Sequence, residues 1–206
     1  MSFIRITESE SNYSNLEKMT VTEILFNINR EDKTVAHAVE KAIPQIDALI
    51  QAIVDKMLMG GRLFYIGAGT SGRLGILDAS ECPPTFSTSP ELVVGLIAGG
   101  RDALTRAIEG AEDDSQAALS ELKSLGTSDR DTVMGIATSG RTPYVIGAME
   151  YARSVGAFTI GFACNHGSPL ATVADLMITP IVGPEVITGS TRLKAGTATK
   201  LVLNML

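Results

Sequence analysis

The 206-residue chain has no tryptophan, and only four tyrosines and six phenylalanines. Aromatic side chains make up 5% of it while glycine reaches 20 residues, usage that suits a small-residue α/β sheet better than a β-sandwich. Cysteine is scarcer still. Cys82 and Cys164 lie far apart, so no disulfide framework is available, and a reduced, cytoplasmic protein is expected. The two histidines, His37 and His166, are too few for a metal-ligand cluster and are read as structural. No apolar run reaches the roughly 20 residues needed to cross a bilayer, so no membrane span is expected. The start, Met1 to Arg5, lacks the basic region and apolar run of a signal peptide. Positive charge is short too: 17 Lys and Arg face 23 Asp and Glu, for a net charge of −6. Nothing there draws in a nucleic-acid backbone, so nucleic acid is not an expected partner.

What is present is enough apolar material, 45% of 21.7 kDa, for one substantial core. Residues 1–58 read as an N-terminal helical segment. Thr20 and Glu23 form a capping box, and Val35, Val39, Ile43, Ile46, Ile50, Ile53 and Met57 recur at helical spacing until Gly60 and Gly61. A stripe that long can pack on its own domain or on a second subunit. From residue 59 short apolar runs alternate with helix-length amphipathic ones, the mark of βαβ units. Strands are expected at 62–66, 92–98, 132–137, 158–163 and 176–179. Helices are expected at 71–81, 102–125, 143–155 and 168–174, with another beginning near Thr191. Strands apolar on both faces imply a parallel sheet covered on both sides by helices, with ligands bound beyond the strands' carboxyl ends. The apolar, helical run from Thr199 to Leu206 carries no stop signal, as in a chain cut inside a helix.

Two loops carry the chemistry. The first, Gly67-Ala68-Gly69-Thr70-Ser71-Gly72-Arg73, formally matches a dinucleotide-binding turn. Thr70 and Ser71 put hydroxyls where a helix begins, and the second strand ends in Ala98-Gly99-Gly100-Arg101, without an acid for a ribose hydroxyl. A single phosphate suits such a loop better, because free N–H groups, hydroxyl donors and the helix dipole converge on one anion. A tight turn with no ligand is the plainer alternative. The second loop, Thr138-Ser139-Gly140-Arg141-Thr142-Pro143, repeats the pattern, and Pro143 suits the first position of a helix. A third stretch, Thr188 to Lys194, adds hydroxyls and two cations. A small phosphorylated metabolite is the expected ligand.

These loops resemble the phosphosugar-binding loops of the sugar isomerase (SIS) domain. Within that superfamily the stretches Gly67 to Phe86 and Ile187 to Lys200 resemble those of N-acetylmuramic acid 6-phosphate etherases, and the resemblance runs through nearly all of the chain. A related branch is the animal glucokinase regulatory protein, which senses a sugar phosphate without catalysis. The resemblance implies an SIS domain over 59–206, cut short at its C-terminus because such chains continue with further helices, and a homodimer. It also implies removal of D-lactate from the C3 ether to leave N-acetylglucosamine 6-phosphate. Elimination across C2 and C3 is the easier chemical route, and it calls for two carboxyl groups in different environments with neither metal nor redox cofactor.

By resemblance the catalytic pair is Glu81 and Glu112. Glu81 would protonate the departing oxygen, its apolar neighbours desolvating it, and Glu112 would act as base at C2, although the roles could be exchanged. Ser71, Thr138, Ser139, Gly140 and Thr142 would hold the phosphate. Glu109 and Asp113, on the same expected helical face as Glu112, are the residues most readily mistaken for it. Cys82 is read as a small buried thiol rather than a nucleophile. Arg73 and Lys194 could touch the phosphate or the lactyl carboxylate, or equally cap a helix or pair with an acid. The same fold admits an aldose–ketose isomerase or a non-catalytic sugar phosphate sensor.

Overall fold

The computed structural model describes residues 3–206; Met1 and Ser2, part of the start read for a leader, lie outside the described residues. Helix α1 runs over Val21–Glu40, opened by the expected box: the Thr20 Oγ accepts from the Glu23 N–H at 3.2 Å while the Thr20 N–H donates to the Glu23 carboxylate at 2.7 Å. The long stripe then divides, and α2 occupies Ile43–Leu58. Pro44 sits in its first turn, where the missing N–H costs nothing. Inside a continuous helix its ring would collide with the carbonyl of Glu40. Val35, Val39, Ile46 and Ile53 are buried together with Leu63 and Tyr65. The stripe therefore packs on its own domain, except Ile43, which stays exposed.

Five strands form one parallel sheet in the order β2-β1-β3-β4-β5. They are β1 (Leu63–Gly67), β2 (Val93–Ile97), β3 (Thr132–Ile136), β4 (Phe158–Phe162) and β5 (Leu176–Ile178). Helices α2, α3 (Gly69–Phe86) and α6 (Lys194–Met205) bury their apolar sides against one face. Helices α4 (Ser115–Ser124) and α5 (Pro143–Ser154) cover the other. After β1 the chain moves to one side, to β2, and then crosses to the other, to β3. The adjacent carboxyl ends of β1 and β3, paired at Gly67 and Ile136, thus mark the topological switch where open α/β sheets bind ligands. No helix among the described residues is long and apolar enough to cross a membrane.

Three helical expectations change. Helix α3 runs on past Glu81 through Pro83 and Pro84 and stops at Ser87, which takes a left-handed φ of 57°. The stretch 102–125 is not one helix but two 3-10 turns, Gly100–Leu104 and Ala111–Asp113, followed by α4. Gly110 at φ 73° breaks it, and the Asp114 carboxylate restarts it by accepting from the N–H groups of Gln116 and Ala117 at 2.9 and 3.1 Å. The stretch 168–174 forms only a 3-10 turn, Pro169–Thr172.

Candidate active site

The two hydroxyl-rich loops leave neighbouring strands side by side. In the first, a Cβ on Gly67 would lie 2.6 Å from the Gly72 backbone nitrogen, so glycine is what lets the first turn of α3 close onto the strand end. In the second, Gly140 takes φ 75°, and a Cβ there would lie 2.3 Å from that of Ser168. Thr142 precedes α5, with Pro143 in its first turn. Two helix starts therefore aim unpaired N–H groups at the same space.

That space is a cavity of about 840 Å³. Ser71, Thr138, Ser139 and Thr142 line it, as do Gly189 to Arg192 from the third stretch. Gly140 does not line it; it turns the loop that does. Glu112 faces the same cavity from the Ala111–Asp113 turn. Its two sequence neighbours part company: Asp113 also lines this cavity, whereas Glu109 lines only an adjoining one of about 150 Å³.

Glu81 is placed elsewhere. It lies ten residues beyond Ser71 on the same helix, roughly 15 Å along the axis at 1.5 Å per residue. It is exposed, and it lines a separate cavity of about 510 Å³ with Asp78, Cys82 and the end of α6. The two glutamates are not brought together within one copy. Burial pushes the carboxyl of neighbouring Asp78 up, more than a hydrogen bond from Tyr65 lowers it. Burial also raises the Cys82 thiol, helped by the charge of Asp78, which disfavours the reactive thiolate.

Both doubtful cations have structural roles. Arg73 donates to the backbone carbonyls of Leu104 at 3.1 Å and Arg106 at 3.0 Å. Lys194 is buried, with its ammonium 2.6 Å from the Glu31 carboxylate, and so fastens α6 to α1. Burial works to raise Glu31, but the hydrogen bond and charge of Lys194, with Asn12 and Tyr13, hold it below the usual carboxylate range.

Sequence reasoning missed the N-terminal strap. The Thr7 N–H donates to the buried Asn165 side chain at 3.1 Å, and the Asn165 amide donates back to the Thr7 hydroxyl at 2.9 Å and to the Ser139 carbonyl at 3.2 Å. This latch brings Glu8 to the cavity wall, where it pairs with Arg141 at 2.6 Å. The partners are 133 residues apart, and no local pattern announces the contact.

The chain is similar to known proteins in sequence and in fold. The glucokinase regulatory protein N-terminal SIS domain matches residues 45–153, and the SIS domain matches 109–206. A phosphoheptose isomerase from Neisseria gonorrhoeae superposes with a TM-score of 0.70 at 19% identity, over 90% of this chain and 95% of its own, a likeness of fold. The N-acetylmuramic acid 6-phosphate etherase of Aliivibrio fischeri strain MJ11 is 57% identical over 98% of this chain and 67% of its own length. That of Caldanaerobacter subterraneus subsp. tengcongensis is also 57% identical, over 98% and 66%. The chain spans about two thirds of the length of these curated relatives. Identity of this order over nearly the whole chain shows that it belongs to the N-acetylmuramic acid 6-phosphate etherase family on the SIS fold.

Proposed function

We propose that the cavity between the β1 and β3 loops binds N-acetylmuramic acid 6-phosphate and that the protein releases its lactyl group as D-lactate, leaving N-acetylglucosamine 6-phosphate. The observation that carries this reading is Glu112 on the wall of the same cavity as the hydroxyls of Ser71, Thr138, Ser139 and Thr142. The helix starts and hydroxyls take the phosphate, which fixes the sugar by its C6 end. In the ring-opened aldehyde the C2 proton lies beside a carbonyl, and Glu112 removes it. The electron pair forms the C2–C3 double bond as the C3–O bond breaks, and the departing oxygen takes a proton to give lactate. Water then adds at C3 and a proton returns to C2, so one water is consumed and no electrons are exchanged. This makes the enzyme a carbon–oxygen lyase, with a cytoplasmic place in reclaiming cell-wall sugars.

Glu81 fits the leaving-group acid only if a second copy supplies it. Ten helical residues separate it from Ser71, and a hexose phosphate cannot span the roughly 15 Å between them. The homodimer expected for the family provides that route. The match to the glucokinase regulatory protein domain favours one rival, a non-catalytic sugar phosphate sensor. Product analysis with the full-length protein decides: D-lactate with N-acetylglucosamine 6-phosphate supports the etherase, an aldose–ketose interconversion without lactate supports an isomerase, and binding without turnover supports the sensor.

A further inference from the structure

We infer that Arg192 recognises the carboxylate of the lactyl group and so separates the substrate from its own product. The inference rests on the etherase reading above. Substrate and product share the phosphate end and differ in one anion, the carboxylate carried on the C3 ether. The phosphate is met by uncharged hydroxyls and helix starts, which leaves the second anion to be matched elsewhere. Three acids, Glu8, Glu112 and Asp113, stand on the cavity wall, so a carboxylate entering there needs a cation beside it.

Among the described residues only Arg141 and Arg192 bring positive charge to that wall. Arg73 spends its guanidinium on two backbone carbonyls, and Lys194 is buried against Glu31. Arg141 is already paired with Glu8 at 2.6 Å. Arg192 is exposed to the cavity and makes no ion pair among the described residues. Its loop is also held firmly. The Ser190 N–H donates to the Ile187 carbonyl at 3.0 Å, and just beyond Arg192 the N–H groups of Lys194 and Ala195 donate to the fully buried Glu185 carboxylate at 2.9 and 3.0 Å. A planar guanidinium on a fixed loop can give a carboxylate two parallel hydrogen bonds, which an ammonium cannot.

The test compares full-length wild type, R192Q and R192K by kcat/KM for lactate release from N-acetylmuramic acid 6-phosphate and by the inhibition constant of N-acetylglucosamine 6-phosphate. R192Q is expected to lower kcat/KM about 10- to 100-fold, mainly through KM, while product inhibition stays within about twofold, and R192K falls between. Retained product inhibition also shows that the variant is folded. Equal weakening toward both sugars, or an unchanged kcat/KM, overturns the role given to Arg192. A wild type that binds both sugars alike and releases no lactate overturns the etherase reading itself, and this inference with it.

Discussion

Asp131 shows how a charge that looks ordinary in the sequence acquires work in the fold. Its carboxylate accepts from the Arg62 backbone N–H at 3.0 Å, from the Arg62 guanidinium at 3.1 and 3.0 Å and from the Ser128 N–H at 2.9 Å, tying the residues just before β1 and β3 together. Burial acts to raise this carboxyl, but the hydrogen bonds and charge of Arg62, with Ser128, outweigh it and hold it below the usual range. A folded-state value below the unfolded one, about 3.9, means the pair stabilises above that pH and its contribution is lost as pH falls through the folded value. Asp131→Asn should cost about 3 kcal/mol near neutral pH and flatten the acid limb of stability, read as denaturant midpoint against pH. An acid limb as steep as wild type contradicts this. At the same scale, the hydroxyls were legible because glycines and helix starts mark them locally, whereas Glu112, one more carboxylate in an acidic run, was singled out only by the family resemblance. The pairs of Glu8 with Arg141 and Glu31 with Lys194 were not, since each joins residues more than 130 positions apart.

At the scale of elements, the strands were legible to within about a residue of either end, because runs such as Thr132–Ile136 are buried on both faces and need no helical period. Helix limits were harder to read where backbone conformation decides them. Gly110 breaks the apolar pattern between 102 and 125 through a positive φ that composition does not reveal, and this turned Glu112 from an expected helix residue into one on a 3-10 turn. The second hydroxyl-rich loop depends on Gly140 in the same way. Its φ of 75° and its contact with Ser168 leave no room for a methyl group. Gly140→Ala should destabilise the fold by roughly 1–3 kcal/mol and weaken phosphosugar binding about tenfold or more. The paired readings are a thermal melt and a binding titration. Binding at wild-type affinity shows that the loop is not the phosphate grip.

On the scale of the whole molecule, the separation of Glu81 from Glu112 is the feature that the sequence concealed. Glu112 lies on the wall of the cavity between the two hydroxyl-rich loops and Glu81 far down α3 beside the end of α6. If copies exchange these residues, E81Q and E112Q should each be inactive alone. Mixed under conditions that reassort subunits, they should recover about a quarter of wild-type activity, since half of random pairs are mixed and each holds one complete site. No recovery from reassorted copies removes Glu81 from the proposed mechanism and leaves the proton donor to a group within the cavity, where Asp113 stands.

Proton removal at C2 by Glu112 is the central claim, and isotope exchange tests it most directly. Full-length wild type and E112Q are to be given N-acetylmuramic acid 6-phosphate in deuterium oxide, and the sugar product read by mass and proton resonance. The account predicts one solvent deuterium at C2 of the N-acetylglucosamine 6-phosphate made by wild type. It also predicts that E112Q binds the substrate, releases lactate about 100-fold or more slowly and exchanges no C2 proton on the wild-type timescale. A wild-type product without deuterium at C2, or an E112Q variant that exchanges as fast as wild type, contradicts it.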